Sequence, residues 1–205
     1  MTTVTALIIG IDGWEQYTAP LIQSIREHEP DCDIVVIDNA SKTPYPNLAG
    51  EWGGVWRTER LCYSAAINTA HSHTTIDTDW FIVLSNDVLC HGPFVPMLAS
   101  LPYDVVAGPC LKETHGYSYL EGWCVCIPAP VWDALGGWDE RFQVSSWEDV
   151  DFSQSAIERG YDVVHCPDLP FTHLDQRQRF GLVSNYWDSE RHNIALFAEK
   201  RQAAR

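Results

Sequence analysis

Residues 4–38 read VTALIIGIDGWEQYTAPLIQSIREHEPDCDIVVID, and this stretch decides the class of fold. Its two ends, Val4–Ile11 and Asp33–Asp38, are short and almost continuously apolar, which is the pattern of strands buried on both faces. Between them, Tyr17–Glu29 places its aliphatic residues on one helical face, so we predict an amphipathic helix there. A strand, a helix and a second strand in this order are typical of a parallel sheet with a right-handed crossover.

The same alternation of strand and helix patterns continues along the chain. Further strands are predicted near Val55-Trp56 and at Trp80–Ser85, Val105–Ala107, Trp123–Ile127 and Val163–His165, and further helices at Tyr63–His73, Pro130–Leu135, Glu148–Arg159 and Asn185–Lys200. We therefore predict an α/β fold with one doubly wound, mostly parallel sheet flanked by helices. Residues 1–205 are long enough for one such domain and too short for two.

The charge of the chain is strongly acidic overall and mildly basic near its C-terminal end. The formal net charge is −15 at pH 7, which argues against a general nucleic-acid binder, because such a protein needs a basic face. Residues 175–205 contain six Lys or Arg and four Asp or Glu, so we predict a basic helical tail there. This tail is either a solvated helix of mixed charge or a phosphate-facing segment. The nine Trp favour a carbohydrate or nucleotide ligand, because indole rings stack on sugars and bases.

The seven cysteines are odd in number and follow no zinc-binding spacing. Most lie in apolar stretches, where a thiol behaves as a small hydrophobic group. The N-terminal apolar run has no basic region before it and, like every later segment, is too short to cross a membrane. These features predict a cytoplasmic protein with reduced thiols and no transmembrane segment.

The segment Gly136–Asp151 carries the densest cluster of reactive side chains. It reads Gly-Gly-Trp-Asp-Glu-Arg-Phe, then five residues, then Glu-Asp-Val-Asp at the start of a predicted helix. Three carboxylates, Glu148, Asp149 and Asp151, thus lie within four positions, an arrangement that suits general-base or metal chemistry. A pair of serines at 145–146 lies three residues before Glu148 and Asp149, so helix capping is an equal alternative for this segment alone.

This segment closely resembles the signature of family 2 glycosyltransferases, in which a Gly-Gly-Phe-Asp-Glu-type turn leads into a Glu-Asp-Val-Asp helix start. Trp138 here replaces the Phe of that turn. The resemblance extends in order from the first strand to about His173. It implies a GT-A fold, a nucleotide-sugar donor, a divalent metal (Mn²⁺ or Mg²⁺) and inversion by single displacement. It also implies Asp149 as the general base, with Glu148 as the second choice.

The resemblance supplies candidate metal ligands as well. Leu84-Ser85-Asn86-Asp87 follows an apolar strand and resembles the Asp-x-Asp motif of the family, with Asp87 as the metal-binding carboxylate. Ser85 stands where an Asp or Asn is usual, so we expect a weakened or water-mediated contact there. Taken alone, the tripeptide Ser-Asn-Asp is simply a turn. His173 follows a Pro-containing segment, as the metal-binding His of the family does, and imidazole suits either cation.

Donor-binding residues are implied at several strand ends. Asp38 matches a family aspartate that contacts the nucleoside, although an Asx turn ending at Ser41 is its alternative role. Asp12 and Trp14 lie in the first-strand loop, where the family grips the base. The other donor-binding candidates are Arg60, Ser85, Asn86, Gly122, Trp123, Arg177 and Arg179. Trp123 could stack on a sugar or belong to the core, and Arg60 replaces a family Asn, so it could bind phosphate or face solvent.

Together these features predict a glycosyltransferase that uses a UDP- or dTDP-sugar and acts on a glycan or glycolipid precursor. A hydroxylated modified base in DNA is an alternative acceptor, suggested by the small size and the basic tail. A nucleotidyltransferase would need a Gly-rich, basic phosphate loop, and residues 11–14 contain no Gly run and no Lys. A non-catalytic nucleotide-sugar-binding module is the third alternative, motivated by Ser85.

Overall fold

The computed structural model describes residues 2–47, 53–174 and 186–203. Its strands are β1 (Val4–Gly10), β2 (Asp33–Asn39), β3 (Gly53–Thr58), β4 (Trp80–Ser85), β5 (Val88–Cys90), β6 (Val105–Gly108), β7 (Leu111–Thr114), β8 (Tyr117–Leu120), β9 (Cys124–Pro128), β10 (Asp162–His165) and β11 (Phe171–His173). Its helices are α1 (Ala19–His28), α2 (Tyr63–Ser72), α3 (Val95–Ala99), α4 (Ala129–Leu135), α5 (Glu148–Glu158) and α6 (Tyr186–Ala203). A π-helical turn, Trp14–Thr18, precedes α1.

Seven of these strands form the central sheet, in the order β10-β6-β9-β4-β1-β2-β3. Six of the seven point the same way, and β9 runs antiparallel to its neighbours β4 and β6. The predicted mostly parallel α/β sheet is therefore confirmed. The carboxyl ends of β1, β2 and β4 lie at one edge, which is where ligands of such sheets bind, and β9 starts at the same edge.

Alternate residues of the central strands enter two separate cores, one on each face of the sheet. On one face, Ile8 and Ile34 join the apolar residues of α1 and α3. On the other face, Leu7 and Val35 join those of α2, α4 and α5. Side chains of a strand point alternately to its two faces, so both sets must be apolar when helices cover both sides. This double covering explains why every residue of β1 and β2 is buried.

Two small antiparallel sheets accompany the central one. β5 pairs with β11, and β7 pairs with β8. The β7–β8 hairpin turns at His115 and Gly116, whose φ angles of 50° and 80° are those of a tight two-residue turn. The sequence pattern does not predict these four strands or α3, because elements of three to five residues are too short to show a period.

The C-terminal helix α6 begins one residue later and ends three residues later than the sequence predicts. It packs on the body of the protein through Phe197, which is buried against Trp147 and Tyr117. The rest of the predicted tail, residues 175–185 and 204–205, lies outside the described residues. In the part of the chain that the structure describes, no helix has the length and apolar character to cross a membrane. All seven cysteines carry free thiols.

Candidate active site

The loop after β1 is fixed by a buried network around Asn86. The Asn86 amide donates to the Asp12 carbonyl oxygen, the Thr18 hydroxyl and the Tyr45 hydroxyl, at 3.1–3.2 Å. The Tyr45 hydroxyl also donates to the Asp12 carbonyl oxygen at 2.7 Å, and its ring packs against Trp14. Asp12 has a left-handed φ of 54°, a strained conformation that is often found at functional sites. Asn86 therefore supports the loop that presents Asp12 and Trp14.

Asp38 lies in β2 near its carboxyl end and is fully buried. Its carboxylate accepts hydrogen bonds from the backbone N–H groups of Ser41 and Tyr45, at 2.9 and 3.0 Å, and from the Arg57 guanidinium at 2.8 Å. Burial opposes ionisation, but these hydrogen bonds and the charge of Arg57 hold the pKa of Asp38 below its usual value. Asp38 thus makes the turn contacts that the sequence allows. It also holds Arg57, which no sequence motif marks and whose side chain is 45% exposed.

The pairing of β5 with β11 brings Asp87 and His173 together. His173 is opposite Val88 in this pair, and the Leu174 N–H donates to the Asp87 carbonyl oxygen at 2.8 Å. Asp87 Oδ1 lies 3.2 Å from His173 Nε2, and both side chains are almost completely buried. The two side chains that the resemblance implies as metal ligands are therefore direct neighbours.

The orientation of His173 comes from Trp123. The imidazole stacks on the indole with ring centroids 5.1 Å apart and planes 12° apart. His173 Nδ1 is buried and has no hydrogen-bond partner among the described residues. The indole N–H of Trp123 donates to Glu121 Oε2 at 3.1 Å, and the Cys110 thiol donates to the same oxygen. One face of the Trp123 ring is thus occupied by His173, and at 7% exposure little of this residue is open to a sugar.

The Asp87–His173 pair fits a hard divalent cation. Two ligand atoms in adjacent positions of an octahedral ion, each about 2.1 Å from it, lie roughly 3 Å apart. The observed separation of Oδ1 and Nε2 is 3.2 Å, so both atoms can reach one ion. Among the described residues, no cluster of three or more His, Cys, Asp or Glu side chains could hold a metal. The remaining ligands of such an ion would have to come from outside these two side chains.

Asp149 is hydrogen-bonded to Gly122, the residue that precedes Trp123. Its carboxylate accepts a hydrogen bond from the Gly122 N–H at 3.0 Å and one from the Val150 N–H at 2.9 Å. A Cβ on Gly122 would lie 3.6 Å from Asp149 Oδ2, which shows how close the two residues are. Contacts and chain connectivity therefore lead from Asp149 through Gly122 and Trp123 to His173.

The start of α5 is not a capping box, so that part of the capping alternative is wrong, although all three carboxylates do lie in the first turn of the helix. Trp147 is the N-cap residue, with a left-handed φ of 69°, and its own side chain makes no capping hydrogen bond. Ser146 is also left-handed, with a φ of 89°, which places neither serine at the N-cap. Glu148 and Asp149 are only 5% and 6% exposed, whereas carboxylates that merely complement a helix dipole usually face solvent. Both acids are thus buried at the start of α5.

The turn Gly136–Glu140 is fastened to α2 by Asn68. The Asn68 amide nitrogen donates to the Trp138 carbonyl oxygen at 2.8 Å and to Glu140 Oε1 at 2.9 Å, and its oxygen accepts from the Trp138 N–H at 2.9 Å. Gly137 has a φ of 83°, and a Cβ there would lie 2.7 Å from Asn68 Oδ1. The diglycine is therefore required by the turn conformation and by the approach of Asn68.

Asp151, the third carboxylate of the cluster, is engaged by α6. It accepts hydrogen bonds from Lys200 at 2.6 Å and from Arg201 at 2.9 Å, and burial raises its pKa despite these cations. Lys200 and Arg141 also bond to Asp139, where burial favours the neutral acid but the hydrogen bonds hold the pKa well below its usual range. Asp139, Asp151, Lys200 and Arg201 line a cavity of about 410 Å³, and neither the candidate base nor a candidate metal ligand borders it.

The remaining sequence candidates contribute less to the described site. Ser85 donates its backbone N–H to the Trp123 carbonyl oxygen at 3.0 Å, which aligns the metal motif with the start of β9. Arg60 is exposed in the loop between β3 and α2. Arg177 and Arg179 lie outside the described residues. Sequence reasoning misses Arg57, whose partners are distant in sequence and which carries no motif.

Neither a family model nor a curated protein sequence matches this chain. By structure it is similar to GalNAc-T7 in complex with UDP, GalNAc and Mn²⁺, with a TM-score of 0.75 at 14% identity, covering 95% of this chain and 48% of that one. It is also similar to the mannosyltransferase PcManGT from Pyrobaculum calidifontis in complex with GDP-Man and Mn²⁺, with a TM-score of 0.63 at 16% identity, covering 95% of this chain and 69% of that one. For TarS of S. aureus the TM-score is 0.59 at 13% identity, covering 83% of this chain and 59% of that one.

The chain thus spans about half the length of the GalNAc-T7 chain that it matches. At these identities the likeness establishes the fold, and membership of family 2 stays a prediction. The sheet order, the flanking helices and these similarities show that the chain has the GT-A glycosyltransferase fold.

Proposed function

We propose that this protein is a metal-dependent, inverting glycosyltransferase that moves a sugar from a nucleotide-diphosphate donor to a hydroxyl acceptor. One observation carries the proposal: the candidate base and the two candidate metal ligands are linked at the carboxyl edge of a GT-A sheet. The link runs by hydrogen bond from Asp149 to Gly122, along the chain to Trp123, and by side-chain contact to His173 and Asp87. GalNAc-T7 and PcManGT were each solved with a nucleotide and Mn²⁺, which supports the same ligand classes here.

In the proposed reaction, Asp87 and His173 would hold Mn²⁺ or Mg²⁺. When bound, the ion stabilises the negative charge that develops on the diphosphate leaving group. Asp149 accepts the proton of the acceptor hydroxyl while the hydroxyl oxygen bonds to the anomeric carbon. The bond from that carbon to the diphosphate oxygen breaks on the opposite face, so the anomeric configuration inverts. Glu148, its neighbour, is the second candidate for the base.

The donor nucleotide is proposed to bind at the loops after β1 and β2, near Asp12 and Trp14. Asp38 is fully buried and its carboxylate already accepts three hydrogen bonds, so we assign it the role of holding Arg57. The exposed guanidinium of Arg57 has further N–H groups that can donate to base, ribose or phosphate oxygens. A UDP- or dTDP-sugar remains the expected donor.

The expected acceptor is a glycan or glycolipid precursor. A modified base in DNA is less well supported than the sequence suggests, because the tail residues Lys200 and Arg201 are paired with carboxylates. Paired cations add little attraction for phosphates, and the net charge of −15 opposes DNA binding.

A thermal-shift screen with Mn²⁺ tests the proposal, using UDP-glucose, UDP-galactose, UDP-N-acetylglucosamine, dTDP-glucose and GDP-mannose. A donor at about 100 times its Kd adds roughly 2.7 kcal/mol of stability, which raises the Tm by roughly 5–10 °C for a chain of this size. We expect a rise that needs both nucleotide sugar and Mn²⁺ and that Asp87→Ala removes. If no donor is bound or hydrolysed with Mn²⁺ or Mg²⁺, the proposal is wrong.

The variant Asp149→Asn tests the assignment of the base. It keeps the shape of the side chain and removes the proton-accepting carboxylate, so turnover should fall about 100- to 10,000-fold while the donor-induced Tm shift persists. Glu148→Gln should have a smaller effect, and the exposed Asp133→Asn on α4 serves as a matched control. Equal activity of Asp149→Asn and the control contradicts the assignment. Donor binding without turnover in the unchanged protein indicates a binding module instead.

A further inference from the structure

We infer that Asn193 of α6 is a positioning residue for the candidate base, because it holds the loop from which α5 begins. The inference rests on the proposed function, in which Asp149 accepts the proton of the acceptor. It assigns a specific task to the C-terminal helix, which the sequence presents only as a basic tail.

The loop 143–147 adopts a conformation that its residues disfavour. Val144, Ser146 and Trp147 have φ angles of 53°, 89° and 69°. At such angles a Cβ crowds the backbone, and the effect is strongest for a β-branched residue such as valine. Glycine would adopt these angles readily, but the loop contains none. A loop of this kind keeps its shape only where the surrounding structure fixes it.

Asn193 supplies three hydrogen bonds to this loop from a fully buried position. Its Oδ1 accepts from the Gln143 N–H at 2.8 Å. Its Nδ2 donates to the carbonyl oxygens of Gln143 and Ser146, at 2.9 and 2.8 Å. Both amide protons and the amide oxygen are therefore in use. The Asn193 side chain thus links Gln143, which precedes the left-handed residues, to Ser146, which is one of them.

The position of this loop decides where the candidate base lies. Trp147 is both the last residue of this loop and the N-cap of α5, and its side chain makes no capping hydrogen bond, so the loop backbone leads directly into the first turn. Asp149 in that turn must stay within reach of the Gly122 N–H, now 3.0 Å away, and of the acceptor hydroxyl. A displacement of about 1 Å at a reacting group can cost roughly 100-fold in rate.

The competing explanation is that Asn193 only anchors α6. That helix has other anchors, however. Phe197 packs against Trp147, and Lys200 and Arg201 pair with Asp151. We therefore expect α6 to remain docked when Asn193 is replaced, so that any fall in activity comes from a looser loop 143–147 and not from undocking of the helix.

The test compares Asn193→Asp and Asn193→Ala with Leu196→Ala. Leu196 is half-buried on the same helix and packs against the cluster that contains Phe142, Trp147 and Phe197, but its aliphatic side chain cannot hydrogen-bond to the loop. The substrate is UDP-glucose, or whichever of the five nucleotide sugars gives the largest Tm shift in the screen above. We measure kcat, KM, the Tm shift with UDP and Mn²⁺, and hydrogen exchange of the amides of residues 143–150, at equal fractions of folded protein.

For both Asn193 variants we expect kcat to fall about 10- to 100-fold. KM and the Tm shift with UDP should change little, because the proposed donor site lies at the loops after β1 and β2 and not at this loop. Exchange at residues 143–150 should accelerate about 10-fold or more, as the loop opens locally. Leu196→Ala should lower the Tm and leave both kcat and this exchange close to those of the unchanged protein.

A kcat for Asn193→Asp equal to that of Leu196→Ala overturns the inference. If the unchanged protein hydrolyses none of the donors, the proposed function has failed, and the exchange measurement alone decides the role of Asn193. Faster exchange at 143–150 in Asn193→Asp then supports its hold on the start of α5, and unchanged exchange refutes it.

Discussion

Replacing Asn68 by alanine should loosen the diglycine turn without disturbing the sheet. The substitution removes three hydrogen bonds of 2.8–2.9 Å, two to the backbone of Trp138 and one to Glu140. At about 0.5–1.5 kcal/mol each, their loss lowers the free energy of unfolding by roughly 2–4 kcal/mol. For a chain of this size that corresponds to a fall in Tm of roughly 4–16 °C.

Urea unfolding followed by tryptophan fluorescence measures this loss, because the midpoint shifts while the slope stays constant if only stability changes. Asn47→Ala is the matched control: this asparagine is exposed, so its replacement should change stability by less than about 0.5 kcal/mol. A loss for Asn68→Ala no larger than that of the control would show that the turn is held by other contacts, and the reasoning would fail.

Three further predictions concern the supports of the site. Glu121→Leu leaves the Trp123 indole N–H without its acceptor, so Mn²⁺ binding in the presence of UDP, measured by electron paramagnetic resonance, should weaken about 10-fold; unchanged binding refutes this. Gly10→Ala places a Cβ 2.6 Å from the Tyr45 hydroxyl and should cost about 1–3 kcal/mol in urea unfolding, whereas wild-type stability would show that Tyr45 moves freely. Asp139→Asn should lower the free energy of unfolding at neutral pH, and that free energy should then fall less steeply as the solution is made acidic. Burial favours the neutral form of Asp139, but its hydrogen bonds to Arg141 and Lys200 outweigh this and hold its pKa in the folded protein below the unfolded value near 3.9. The ionised Asp139 therefore stabilises the fold above about pH 4, and this stabilisation is lost as the pH falls further. Equal acid unfolding curves for the two proteins would contradict this.

The sequence predicts the sheet well because its central strands must be apolar on both faces, and the predicted bounds of β4 agree with the structure. It cannot predict the direction of β9, because a buried strand has the same composition whether it runs parallel or antiparallel to its neighbours. The exposed hairpin β7–β8 escapes prediction for a related reason, since neither strand shows a regular alternation of buried and exposed residues.

For the site, the resemblance to known glycosyltransferases selects Asp87 and His173, and the structure shows that they are neighbours. The residues that support such sites escape prediction, because a single polar residue such as Arg57 or Asn193 does not indicate its distant partner. The capping box stays an open alternative at the sequence level because a left-handed φ is expected at glycine, whereas here Trp147 adopts one and is the N-cap residue.

The contact between Asn193 and the loop 143–147 also sets an order of events during folding. The eleven strands of the described residues all precede α6 in the chain, so the sheet can form before this helix has been made or has docked. The left-handed residues of the loop then have no amide from Asn193 to hold them. On the proposed function, refolding should therefore restore the secondary-structure signal first and turnover of the nucleotide sugar in a later phase, because the loop before the candidate base is held only once α6 has docked.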